Sequence, residues 1–165
     1  MNQDKFVLPL PTQGFAQPNS ASCWYACYAM MYAWKNKSVA ELDQKLSSAG
    51  YDLGKIKNRG LKDDEYRKVA YAVGTREVLR ISALNWSLED IVDRLQRWGP
   101  IFLCTLELGG GHAMVLYGAD TKLNNLIVAD PYSVGADFGS AHNEYFTLNK
   151  FRGTIQPVNY ALQVF

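Results

Sequence analysis

The run Cys23-Trp24-Tyr25-Ala26-Cys27-Tyr28-Ala29-Met30-Met31-Tyr32-Ala33-Trp34-Lys35 contains neither Gly nor Pro and is apolar nearly all round. A helix apolar on every side has to be covered on every side, so this run predicts a buried helix around which the rest of the chain packs. Ser20 or Ser22 is available as its N-cap. Upstream, residues 1–22 are rich in Pro, Gln, Asn and Ser and predict an extended path over a surface. Downstream, Ser38-Val39-Ala40-Glu41 is a capping-box pattern that opens a second helix toward Ser48, closed by Gly50. Residues 61–73 form a third helix ended by Gly74, residues 78–81 a short strand, and Ser87-Leu88-Glu89-Asp90 opens a fourth helix that ends at Gly99.

Beyond Gly99 the pattern changes. Residues 100–108, 112–119, 126–130 and 145–148 are β-branched or aromatic runs separated by Gly, Asn and Asp, and residues 158–165 read as a closing strand. Helices first and antiparallel strands afterwards predict an α+β fold in one domain spanning residues 1–165. A chain of 165 residues buries roughly 68–70% of its unfolded surface, so it folds without a metal or disulfide staple. The formal net charge of +1 lacks the positive excess that a nucleic-acid binder or a polybasic membrane-surface protein needs. No apolar run approaches the ~18–20 residues of a membrane span. Met1-Asn2-Gln3-Asp4-Lys5 does not open a signal peptide. The expectation is a soluble globular domain.

Chemistry enters where polar residues interrupt this layout. Cys23 begins the buried helix, where unpartnered backbone N–H groups carry partial positive charge and favour a thiolate. It reads either as a nucleophile or as a small buried hydrophobe. Cys27, one turn further in, and Cys104, inside a strand, read as core. The three cysteines show no disulfide-framework spacing. His112 follows Gly109-Gly110-Gly111, whose lack of side chains leaves room in front of an imidazole. The second histidine, His142, reads as an exposed residue of a polar loop. Asp130 closes the apolar run Leu126-Ile127-Val128-Ala129, and a carboxylate there needs a partner, either His112 or a turn amide.

Taken together, these residues resemble a known family. Gln17, six residues before Cys23, with Cys23-Trp24, is similar to the Gln…Cys-Trp motif of papain-like cysteine peptidases. His112-Ala113-Met114-Val115-Leu116-Tyr117-Gly118 resembles their His-Ala…Gly segment. Asp130-Pro131 is similar to the Asp-Pro of the small bacterial double-glycine peptidases, and related compact domains occur as secreted effectors and toxins. Plant-type papains carry Asn in place of this Asp, are longer and contain disulfides, so the small bacterial branch is the closer likeness. The resemblance implies a papain-like fold, with the nucleophile helix packed on a C-terminal antiparallel sheet. It also implies a Cys23–His112–Asp130 triad hydrolysing peptide bonds through a thioester, with no metal or organic cofactor. The Gln17 side chain and the Cys23 backbone N–H would form the oxyanion hole, and Trp24 would pack beneath the site as core. The implied partners are a protein or peptide substrate, cut after Gly-Gly, and a cognate inhibitor or immunity protein, and the implied location is cytoplasmic, or secreted and delivered into a target cell.

The same residues would also serve an amidase, deamidase or acyltransferase, because the thioester step is shared. A zinc module built from Cys23, Cys27, Cys104 and His112 is a different class; it lacks CxxC spacing. Strand alternation supplies one geometric expectation. A hairpin bending near Thr121 pairs Leu116 with Leu126, Met114 with Val128 and His112 with Asp130, and leaves Asp120 in the loop. A turn at Asn124-Asn125 would instead set Asp130 opposite Ala119.

Overall fold

The computed structural model describes residues 4–107, 110–132, 139–158 and 160–165. Expectations for residues 1–3, Leu108, Gly109 and Asn159 lie outside that set. In chain order the elements are β1 (Lys5–Val7), α1 (Cys23–Trp34), α2 (Val39–Ser48), α3 (Leu53–Ile56), α4 (Glu65–Val73), β2 (Arg76–Glu77), α5 (Arg80–Ala83), α6 (Leu88–Trp98), β3 (Ile101–Glu107), β4 (Gly110–Asp120), β5 (Asn125–Asp130), β6 (His142–Phe146), α7 (Leu148–Thr154) and β7 (Leu162–Val164). Six strands run in the order β2-β7-β3-β4-β5-β6, and β1 adds to β4 where β3 has ended. Every pairing is antiparallel. This is the predicted α+β layout, with α1 lodged against the sheet.

Helix α1 is buried as its sequence requires: Cys27, Tyr28, Met30, Met31 and Tyr32 have no exposed surface. Each large apolar side chain so removed from water contributes about 1.5–3 kcal/mol. The Tyr28 ring stacks on Phe102 of β3 at 4.8 Å, and its hydroxyl donates to Gln163 Oε1 of β7 at 2.5 Å. Gln163, itself fully buried, also accepts from Thr75 Oγ1 and donates to the Tyr160 carbonyl. The polar tip of a core tyrosine is thereby satisfied instead of stranded. Helices α2 and α6 both open on complete capping boxes, Ser38 with Glu41 and Ser87 with Asp90.

Several local expectations are corrected. Residues 78–81 are not a strand: β2 ends at Glu77 and Arg80–Ala83 is a short helix, with Leu79 and Ile81 facing solvent. Strand β6 ends at Phe146, because the Thr147 hydroxyl accepts from the Lys150 N–H and turns Leu148 into a helix start. The third helix begins at Glu65, later than residue 61, and α3 and β1 were not foreseen. Ser22 occupies the cap position of α1 but makes no capping bond; its hydroxyl donates back to the Asn19 carbonyl.

The β4–β5 hairpin follows neither expected register. Asp120 pairs with Asn125, Ala119 with Leu126 and Gly118 with Ile127; after a bulge at Tyr117, Leu116 pairs with Val128 and Val115 with Ala129. Asp120 is therefore the last residue of β4 and nearly buried, and its Oδ1 accepts the Leu123 N–H at 2.8 Å to close the turn. Asn124 takes the left-handed conformation that the turn demands, with φ of 54°.

Candidate active site

Cys23 is the first residue of α1 and is 8% exposed. The Ser22 side chain caps nothing: Tyr25 and Ala26 donate to the Ser22 carbonyl, while the Cys23 N–H has no acceptor among the described residues and stays open. Asn19 sets the loop before it. Its Oδ1 accepts the Ala21 N–H at 2.9 Å, and its Nδ2 donates to Asn58 Oδ1 at 3.0 Å, tying the loop to the segment after α3. Trp24 packs beneath as core, 1% exposed, with its indole N–H donating to the Arg59 carbonyl at 3.1 Å. Arg59 is held in turn by a two-pronged pair with Glu65, both contacts 2.6 Å. That pair lowers the Glu65 carboxyl to about 2.

His112 stands on β4 opposite Thr105 of β3, whose hydroxyl donates to the His112 carbonyl. The neighbouring Gly111 lets the Gln156 side chain lie close: a Cβ there would fall 2.5 Å from Gln156 Nε2 and the amide would have to shift. The His112 Nε2 lies 2.7 Å from Asp130 Oδ1. The Cys23 thiol is the other side chain whose electrostatics bear on this imidazole. With Nε2–H given to the carboxylate, Nδ1 is the nitrogen left to face sulfur. Burial works against protonation of the ring, but the hydrogen bonds and charges of Asp130 and Cys23 outweigh it and lift His112 to about 10. An imidazole held this way on a buried carboxylate is the acid–base partner that thiol chemistry uses.

Asp130, buried at the end of β5, uses Oδ1 twice, toward His112 and as acceptor of the Tyr132 N–H at 2.7 Å. Both partners weighed from the sequence are thus present. Gln17 is brought to the same place by its backbone, whose N–H donates to the Pro131 carbonyl at 2.8 Å. Its side-chain Nε2 donates to the Asn19 carbonyl at 2.9 Å, which leaves one of its two N–H bonds free, and its Oε1 is buried without a partner.

His142 was misplaced by the sequence reading. It opens β6 directly across from Asp130, with Nε2 4.0 Å from Asp130 Oδ2 and 3.5 Å from Glu144 Oε1. The signal that could have found it is the alternation of His142, Glu144 and Phe146. Among the described residues, Asp130, His142 and Glu144 form the group whose ligand atoms converge well enough to hold a metal ion, within 4.8 Å of one another. That group includes no cysteine, so the Cys23–Cys27–Cys104–His112 zinc set is not assembled. Cys27 and Cys104 are core, as expected. Burial raises both thiols, Cys104 to about 12, and Cys104 Sγ sits between Gln156 Oε1 at 3.0 Å and the Tyr66 hydroxyl at 2.9 Å.

Residues 4–152 match the family model described as papain-like cysteine protease AvrRpt2. The chain belongs to the papain-like cysteine proteases. No curated protein matches this protease at the sequence level. Its fold is similar to that of the peptidase domain of Streptococcus ComA, a bifunctional ABC transporter involved in a quorum-sensing pathway. The TM-score is 0.54 at 16% identity, covering 94% of this chain and 97% of that one. Among the described residues, no helix of the protease is long and apolar enough to cross a membrane.

Proposed function

We propose that residues 1–165 act as one peptidase domain in which Cys23 is the nucleophile, His112 the acid–base and Asp130 its orienting carboxylate. The observation that carries this reading is the 2.7 Å contact between His112 Nε2 and Asp130 Oδ1, on an imidazole whose protonation Cys23 also favours. The Cys23 thiol gives its proton to His112 Nδ1, and the sulfur bonds to the carbonyl carbon of the scissile amide. Negative charge gathers on the carbonyl oxygen, where the open Cys23 N–H and the free Gln17 Nε2–H donate to it. Collapse of the tetrahedral intermediate breaks the C–N bond, and His112 hands its proton to the departing amine. A water, deprotonated by His112, then hydrolyses the thioester, releasing the carboxylate and restoring the thiol. Asp130 keeps its charge throughout and fixes which nitrogen faces sulfur.

The finer reading is a secreted effector or toxin domain that cuts a target protein after Gly-Gly and is held in check by a cognate inhibitor. It rests on the likeness of Gln17…Cys23-Trp24 and Asp130-Pro131 to the small bacterial double-glycine peptidases. Mass-spectrometric profiling of new termini tests both levels, comparing wild type with Cys23→Ala in a proteome that includes Gly-Gly sites. New termini dependent on Cys23 and clustered after Gly-Gly are expected. Cys23-dependent termini without that clustering would remove the specificity and keep the peptidase; equal termini from both proteins would remove the triad.

A further inference from the structure

Away from the Cys23–His112 site, on the far edge of the sheet, a cavity of about 370 Å³ lies between β2, β7, α5 and α6. Its volume is that of a small-molecule site. Its walls combine Trp86 and Trp98 with Arg76 and Arg94, and Val78 and Val164 add apolar surface. The two indoles meet edge to face at 6.0 Å, and the Arg94 guanidinium lies over both rings, 4.5 Å from Trp86 and 5.6 Å from Trp98.

The hydrogen-bonding balance of this cavity is one-sided. Arg94 Nε is buried without an acceptor; only its Nη1 is engaged, by Asp90 one turn back on α6. Trp86 is 3% exposed and packs its ring under the Arg94 guanidinium. Arg76 is exposed and has no ion-pair partner among the described residues. The one carboxylate on the wall, Glu77, already accepts the Tyr160 N–H at 3.2 Å. Two cations thus border a space edged by aromatic and branched side chains, with a single, partly engaged acid among them.

We infer that this cavity is a binding site for a small amphiphilic carboxylate, an apolar or aromatic body seated against Trp98 and Val164 with its anionic end held by Arg94 and Arg76. Two sources share that chemistry, a free aryl or alkyl acid and the C-terminal residue of a peptide. A neutral ligand of the same shape would leave Arg94 Nε and the Arg76 guanidinium without a charged acceptor and lose the charge-assisted bonds.

The test uses the whole protein, following the indole N–H resonances of Trp86 and Trp98 by NMR during titration with 3-phenylpropanoate, 3-phenylpropanamide and acetyl-Gly-Phe with a free carboxylate. The acid should shift both indole signals saturably and leave that of Trp24 in place, and the amide should bind about tenfold or more weakly. Arg76→Gln, on an exposed strand residue, should weaken acid binding by about the same factor without loss of fold; Arg94→Gln should do so too. Tighter binding of acetyl-Gly-Phe than of the free acid identifies a peptide C-terminus as the occupant, and its exclusion identifies a free acid. No saturable shift with either acid, equal affinity for acid and amide, or unchanged affinity in folded Arg76→Gln would each overturn the assignment.

Discussion

Asp130 meets His112 on a diagonal and not across the ladder: their side chains bond at 2.7 Å, while Val115 pairs with Ala129 and Leu116 with Val128. Continuing that register sets Asp130 beside Met114. The bulge at Tyr117 makes the meeting possible. On the turn side of the bulge, Gly118 pairs with Ile127. Were that register carried on unbroken, Asp130 would oppose Val115 and project from the face away from His112. One extra residue in β4 restores the parity and returns the carboxylate to the histidine's face. Gly118 belongs to the same device: a Cβ there would lie 2.9 Å from the Phe6 carbonyl of β1 and 3.3 Å from Ile127.

Cys23→Ala should abolish peptide hydrolysis with little change in melting temperature. Cys27→Ala and Cys104→Ala should keep the activity and lose stability, Cys104→Ala by about 1–3 kcal/mol because Tyr66 and Gln156 lose a buried partner. Iodoacetamide labelling read by mass spectrometry should find one fast thiol, lost in Cys23→Ala. Hydrolysis surviving in that variant removes Cys23 from the chemistry.

Asp130→Ala should cost up to about 10⁴-fold in rate, the scale on which a triad carboxylate acts. Asp120→Ala should leave the rate alone but destabilise the fold by about 1 kcal/mol, since Asp120 accepts the Leu123 N–H at the turn. Kinetics and denaturant melts on the pair decide it, and the reverse ranking in rate would exclude Asp130 as the orienting group.

Gln17→Ala should lower kcat by about 10²–10³-fold, roughly 2.7–4 kcal/mol, if its free N–H reaches the developing oxyanion. Thiol alkylation should change little, because that step develops no oxyanion. A rate within twofold of wild type would reduce Gln17 to a loop residue bonded to Asn19 and Pro131.

His112 carries a pH signature. Its pKa of about 10 in the folded protein lies above the 6.5 of the free side chain. A group raised on folding stabilises the protein fully below its unfolded pKa, and that stabilisation is lost as pH rises through the folded value. The difference in melting temperature between wild type and His112→Gln should therefore be largest at or below about pH 6.5 and shrink toward pH 10. A difference that is flat or grows with pH would contradict the Asp130 and Cys23 contacts that cause the shift.

The sequence by itself determined the parts that depend on local pattern. An all-round apolar run could only be a covered helix, and Ser38, Ser87, Gly74 and Gly99 marked helix ends through caps and turns that act within a few residues. The motifs Gln17…Cys23-Trp24, His112-Ala113 and Asp130-Pro131 pointed to thiol chemistry through their likeness to papain-like cysteine peptidases. Tertiary structure alone decided which strands lie side by side, that β1 extends β4 beyond the end of β3, and that His142 belongs to the sheet opposite Asp130. It also decided the hairpin register. Alternation constrains a strand's faces but not its offset from a neighbour, and a bulge changes parity without changing the alternating pattern on either strand. The energy that selects the offset comes from buried neighbours and a paired carboxylate, which exist only once the sheet has formed.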